Sequence, residues 1–323
     1  MNEIEESKNR SKEKLASLKE AIFTKDTITS HKHFCIYTTG SYGREEASEY
    51  SDIDLFFVSE EPIKKIDKIL IDADLITITK TLEFPEFTGD GEYLEVHRLG
   101  DIIGNLGSRI DDYKNYFTAR MLLILESKCV YNEEKYNSII DEVLDKYYID
   151  VDADNEQNFR PTFLINDIIR YWRTLCLNYE YSKNKKDNSE LENKIKSHIK
   201  NYKLKFSRKL TCYSLLLSIL YLDSESVSKE KLKELIVLTP LQRLNKIEEE
   251  SHDNTIKQQV RRIMRLYNEF LEYTHQEMNK LKSIFANNVT KREMFKKADD
   301  FSEAIFQLML LKKESKIFKY FLV

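Results

Sequence analysis

Apolar positions at helical spacing open the chain. Leu15, Leu18 and Ile22 predict a helix over residues 2–24. Residues 34–38 form a short strand that feeds a turn at Gly40-Ser41, and residues 42–49 are expected to start as a helix. Residues 52–58 predict a second strand, with Ile53 and Leu55 on its core side. Pro62 opens a helix that runs to about Ile71, because proline is tolerated in a first turn. Residues 75–84, rich in Ile and Thr, predict a strand. A turn at Gly89-Asp90-Gly91 leads into a further strand over residues 93–98. Helices are expected over 110–126 and 133–147, then over 162–182, 191–222, 229–236, 255–285 and 298–319. In the stretch 255–285, Ile256, Val260, Ile263, Tyr267, Phe270 and Thr274 fall on one face and predict core.

Glycine divides the chain. All seven glycines lie between Gly40 and Gly107, and beyond residue 150 there are two prolines, Pro161 and Pro240. Turns between strands need positive φ, whereas helices avoid glycine. The expected fold class is therefore α+β, with a mixed sheet and helices in a domain over residues 1–150 and an all-helical domain over residues 151–323. Residues 150–155 read as an acidic connector without the glycine and glutamate of a calcium loop.

At 323 residues, 41% hydrophobic and 33% charged, the chain has material for two globular cores. No apolar run approaches the roughly twenty residues of a membrane span. The charged first 24 residues lack an apolar secretory region. Cys35, Cys129, Cys176 and Cys212 show no metal-ligand spacing and suit reduced thiols, so a cytoplasmic protein is expected. The net charge of −4 hides an asymmetry. Residues 1–150 carry 19 Lys/Arg against 31 Asp/Glu, and residues 151–323 carry 32 against 24. An acidic half joined to a basic half suits a cleft for an anionic substrate, or two halves that attract each other.

The chemistry concentrates in Gly40-Ser41-Tyr42-Gly43-Arg44-Glu45 and the following Ser51-Asp52-Ile53-Asp54-Leu55. Alternation on a strand turns Asp52 and Asp54 to one side. Two neighbouring carboxylates repel unless a cation lies between them. Mg²⁺ is the ordinary cation for oxygen ligands that also touch a triphosphate. The Gly-Ser turn offers backbone N–H groups and the Ser41 hydroxyl to phosphate oxygens.

This arrangement resembles the DNA polymerase β-type nucleotidyltransferase superfamily, whose signature is a Gly-Ser turn followed by an Asp-x-Asp strand. Gly40 to Glu46, Tyr50 to Leu55 and Leu94-Glu95-Val96-His97-Arg98 look most like the nucleotidyltransferase domain of bacterial PII-protein uridylyltransferases, over roughly residues 30–130. The resemblance implies transfer of a nucleoside monophosphate from an NTP to an acceptor hydroxyl on a protein, with two Mg²⁺ ions and release of pyrophosphate. It departs from those enzymes in lacking their regulatory and hydrolytic domains. An RNA end or a small molecule such as an antibiotic is the alternative acceptor, and a non-catalytic nucleotide-binding module is the alternative to an enzyme.

Asp52 and Asp54 are the expected metal ligands and catalytic carboxylates. Glu95 is the expected third, as metal ligand and base for the acceptor hydroxyl, with Glu92 and Glu83 as alternatives. Gly40 and Ser41 are expected to hold phosphate. Arg44 is expected either to reach the triphosphate or to pair with Glu45 or Glu46. His97 reads as a substrate contact or a half-buried structural residue. Residues 194–209 hold seven Lys/Arg and no acid, with Tyr202 and Phe206 interleaved. Lys205, Arg208 and Lys209 can share a helix face there and bind triphosphate or RNA, or form a solvated face. Asn166, Asp167, Arg170 and Arg173, near Trp172, line a cleft or make an internal ion-pair network.

Overall fold

Four strands organise the N-terminal unit of the computed structural model, which describes residues 2–87, 94–151, 159–185, 191–222 and 226–321. Chain contacts group into two units, Met1–Asp150 and Val151–Val323. In the first, β1 (Phe34–Thr39) pairs antiparallel with β2 (Asp54–Ser59) and with β4 (Lys128–Tyr131), while β2 pairs in parallel with β3 (Val96–Arg98). The order is β3-β2-β1-β4, a mixed sheet. Its helices are α1 (Glu3–Phe23), α2 (Asp26–Thr29), α3 (Gly40–Gly43), α4 (Lys65–Thr81), α5 (Leu99–Gly104), α6 (Arg109–Tyr113), α7 (Tyr116–Glu126) and α8 (Glu133–Tyr147).

Alternation along the strands sends two sets of side chains to two faces. Phe34, Ile36, Leu55, Phe57 and Val96 pack with Leu15, Leu18 and Ile22 of α1 and Ile71, Leu75 and Ile78 of α4. On the other face Tyr37 stacks on Phe56 at 5.7 Å, and Phe56 on His97 at 6.4 Å. Tyr136 of α8 and Tyr116 of α7 meet this row at Tyr37 and His97. Arg120 of α7 is fully buried; it pairs with both carboxylate oxygens of Asp111 and donates to the Tyr147 hydroxyl and the Ile102 carbonyl.

Four local expectations change. Residues 75–81 continue α4 instead of forming a strand. Their β-branched residues serve the helix, since Ile71, Leu75 and Ile78 recur on its buried side and the Thr77, Thr79 and Thr81 hydroxyls donate to carbonyls four residues back. The helix expected after Tyr42 ends at Gly43, and the chain passes through Glu45 at φ 57°. The helix expected over 110–126 divides at Asn115, where φ is 58°. The third strand begins at Val96. The turn at Gly89-Asp90-Gly91, along with Glu92 and Tyr93, lies outside the described residues, as does most of the 150–155 connector.

The second unit is helical throughout its described residues: α9 (Thr162–Lys185), α10 (Leu191–Lys203), a π-helical turn (Leu204–Arg208), α11 (Lys209–Tyr221), α12 (Lys229–Ile236), α13 (Pro240–Glu250), α14 (Asn254–Thr274), α15 (Met278–Ala286) and α16 (Asn288–Leu310), then a 3₁₀ turn (Phe318–Phe321). Helix α13 was not expected; Thr239 and Gln242 form a capping box around Pro240 and start it. The stripe on α14 is core as expected, with Ile256, Val260, Ile263, Tyr267 and Phe270 buried. The described residues thus form an α+β first unit built on a mixed four-stranded sheet, followed by a helical second unit.

Candidate active site

The turn after β1 and the head of β2 face each other across the sheet. Thr39 is the register partner of Asp54, so Gly40 comes next to the Asp54 side chain. Gly40 has φ +65°, a left-handed conformation that side chains disfavour. A β-carbon there would lie 2.6 Å from Asp54 Oδ2. The absence of a side chain therefore lets the carboxylate of the Asp-x-Asp pair sit against the Gly-Ser turn. Amides of Arg44 and Glu46 donate to the Gly40 and Ser41 carbonyls at 3.0 and 2.8 Å. The carbonyls are thereby turned into the chain, and Thr39 gives the α3 amides no side-chain cap.

Asp52 precedes β2, yet the alternation extends back to it. Asp52 and Asp54 are half-buried while Ile53 and Leu55 are buried. The Tyr42 phenol is pushed up to about 12, chiefly by burial; Arg10 opposes the rise and the Asp52 charge adds to it. Asp52 thus acts on the same turn that Asp54 touches.

Glu95 is exposed and stands just before β3, at its edge and not in mid-strand. The parallel pairing of Phe57 with Val96 sets Glu95 level with Phe56, one strand away from the residue two beyond Asp54. Its charge acts on His97 and Tyr116. Among the described residues no group of three or more His, Cys, Asp and Glu side chains gathers to hold a metal. The structure brings Asp54 and Asp52 to the Gly-Ser turn and leaves Glu95 outside such a cluster. Glu83, an alternative third carboxylate, is exposed at φ 55° after α4. His97 is half-buried between Phe56 and Tyr116, and burial lowers its pKa against the pull of Glu95.

Arg44 does not reach out toward a phosphate. Its guanidinium is 6% exposed and donates to Glu46 Oε1 at 2.6 Å and to Glu126 Oε2 at 2.5 Å. Of the two expected pairings only the one with Glu46 forms; Glu45 pairs with Lys128 at 3.4 Å. Glu126, at the end of α7, was missed by sequence reasoning, since 82 residues separate it from Arg44.

In the helical unit, Lys205 pairs with Asp299 at 2.8 Å and lies over the Phe295 ring. Lys209 donates to Ser302 and lies over the Trp172 ring at 5.4 Å. Arg208 is half-buried. The countercharge absent from residues 194–209 is supplied to Lys205 by α16. Tyr202 and Phe206, expected to interleave with the basic residues, are core: Phe206 stacks on Phe270 and Phe301 at 4.7 and 4.6 Å. They cannot stack on bases while the unit is folded. Asp167 is buried and pairs with Arg170 at 3.3 Å, one turn along the same helix.

Residues 30–173 match the family model of the nucleotidyltransferase domain. This stretch, somewhat under half of the chain, is similar to nucleotidyltransferase domains and supports the polymerase β-like superfamily. The matched stretch holds the whole sheet and ends within α9. The protein is accordingly a nucleotidyltransferase, with a nucleotide as substrate and nucleoside monophosphate transfer as its general activity. No curated protein matches the chain. No described helix is long and apolar enough to cross a membrane. All four cysteines are free thiols.

Proposed function

We propose that the protein transfers a nucleoside monophosphate from an NTP to a hydroxyl on an acceptor protein, with Mg²⁺ and release of pyrophosphate. One observation carries the reading: the Asp54 carboxylate lies against Gly40, so an anionic ligand group and a phosphate-binding turn share one place. The donor set fits Mg²⁺. In triphosphate sites this ion takes one or two carboxylates and completes its shell with phosphate oxygens and water, so Asp52 and Asp54 suffice without a third clustered ligand. Bound there, Mg²⁺ would neutralise charge on the phosphates.

The chain's own residues supply the rest. Gly40 and Ser41 hold the phosphate tail through backbone N–H groups and the Ser41 hydroxyl. The acceptor oxygen attacks the α-phosphorus in line, the bond to the bridging oxygen of pyrophosphate breaks, and pyrophosphate carries away that electron pair. Glu95, exposed at the edge of β3, takes the acceptor proton and would be the further carboxylate to hold Mg²⁺ beside Asp52 and Asp54. Lys205, Arg208 and Lys209 are the helical unit's candidate contacts to phosphate, of a nucleotide or of RNA. Likeness to the PII-protein uridylyltransferases in Gly40 to Glu46 and Tyr50 to Leu55 supports a protein acceptor in the cytoplasm.

A second acceptor class, RNA, draws support from the excess of eight positive charges over residues 151–323 and the acid-free run at 194–209. The test is incubation of the purified protein with each labelled NTP, Mg²⁺ and cell lysate. Label in the protein fraction is expected. Label in RNA or in small molecules would reassign the acceptor, and no Mg²⁺-dependent labelling at all would overturn the reading.

A further inference from the structure

Three contacts converge just behind the Gly-Ser turn, and none of them faces solvent. Gly43 packs so closely that a β-carbon would lie 2.0 Å from the Glu126 carbonyl oxygen and 3.0 Å from that of Thr38. One residue later, Arg44 bridges Glu46 and Glu126, all three nearly or fully buried. The Glu46 amide then donates to the Ser41 carbonyl at 2.8 Å. A path of bonded groups therefore runs from the end of α7 through Arg44 and Glu46 to Ser41. Further along, the Ala47 amide donates to Ser11 and its carbonyl accepts from Arg10, which fixes the chain after Glu46 to α1.

An ion network of this kind is an expensive way to fill a core. Desolvating the charges offsets much of their attraction, and apolar side chains of similar size often hold a fold equally well. What the network supplies is direction, because an arginine fork donates to its carboxylates in few geometries. Its two carboxylates come from the segment after the turn and from the end of α7, so the fork ties one to the other.

We propose that Arg44, Glu46 and Glu126 are positioning residues, a buried ionic latch that holds the Gly40-Ser41 turn in the conformation that receives the triphosphate. The latch touches neither substrate nor metal. It rests on the reading of that turn as the triphosphate site.

The test uses the full chain with Glu126→Gln, which keeps shape and an acceptor oxygen, and Glu46→Gln as the second variant. Amide hydrogen exchange over residues 40–46 is compared with exchange in β1 and β2, and Mg²⁺-NTP binding and turnover are measured on the same samples. Exchange at 40–46 should accelerate about tenfold while β1 and β2 stay protected. The NTP KM should rise about tenfold with kcat at saturation nearly kept, the mark of lost ground-state and transition-state binding together. Unchanged exchange at 40–46 overturns the latch whatever the kinetics show. Faster exchange with unchanged KM also overturns it, as does failure of both variants to fold, which would assign the trio to stability alone. A wild type that binds no NTP, with the turn still released in both variants, would instead sink the reading of the turn as a triphosphate site.

Discussion

At Gly40 a positive φ and a neighbouring carboxylate constrain the same atom. A methyl group there would both disfavour the left-handed backbone and push on Asp54 Oδ2 at 2.6 Å. Gly40→Ala is therefore expected to displace Asp54 and to lower turnover in step with Asp54→Asn. For Asp54→Asn the loss should reach about a hundredfold or more, the scale of removing a major electrostatic group, with the thermal midpoint little changed. Full Mg²⁺-dependent turnover in Asp54→Asn would remove the site assignment. His97 offers a pH test. Burial keeps its folded pKa below the ordinary 6.5, so the unfolded chain takes up the proton first as pH falls. Its contribution to stability is thus complete above the unfolded value and is lost as pH drops toward the folded one. His97→Phe should lose less stability than wild type between about pH 7.5 and about pH 5.5. Thermal midpoints across that range that run parallel in both proteins would contradict this.

Among the elements, α6 and α7 depend on one side chain. Arg120 is fully buried and binds Asp111, Tyr147 and the Ile102 carbonyl, so it joins α6, α8 and α5 to α7. Arg120→Ala leaves the Asp111 carboxylate buried without its partner, at a cost of about 3–5 kcal/mol, enough to unfold a marginal domain. Denaturant titration reads the cost; a loss below about 1 kcal/mol would show that the pair is replaceable. The same elements show what a single sequence conveys. The Gly-Ser turn and Asp-x-Asp motif are local, so the sequence pattern displays them directly, and α8 and α12 follow their caps and periodicity. The end of α4 misleads because Ile and Thr favour strands in isolation, while burial of Ile71, Leu75 and Ile78 on one side decides for helix. Helix α13 left a signal, Thr239-Pro240 followed by Gln242, that composition alone does not reveal. Contact between Arg44 and Glu126 joins positions 82 residues apart, and no local pattern encodes it. Likewise Tyr202 and Phe206 resemble a stacking surface in sequence, and only the packing of α14 and α16 shows them to be core.

At the scale of the whole molecule, charge separates between an acidic first unit, which holds the candidate metal ligands, and a basic second one. The basic segment is partly neutralised within its own unit, Lys205 by Asp299, while Lys209 donates to Ser302 and lies over the Trp172 ring. Burial lowers the Lys209 pKa, with Lys205 adding to the fall, and Lys205 and Arg208 lie in the π-helical turn itself. Such turns recur at functional sites, because they break helical regularity at a cost that packing alone does not repay. Replacing Lys205, Arg208 and Lys209 together by Ala should cost about 1–2 kcal/mol of stability, mostly from the half-buried Lys209 over Trp172. The apparent NTP KM should rise several-fold, on the order of one lost charge-assisted contact or more. If NTP binding persists while RNA affinity falls, and its salt dependence flattens by about one unit of slope per lost phosphate contact, the phosphates gripped are those of RNA and the acceptor assignment changes with them. A triple variant unchanged in both assays would leave the segment as a solvated face, and the positive excess of the second unit would then serve solubility.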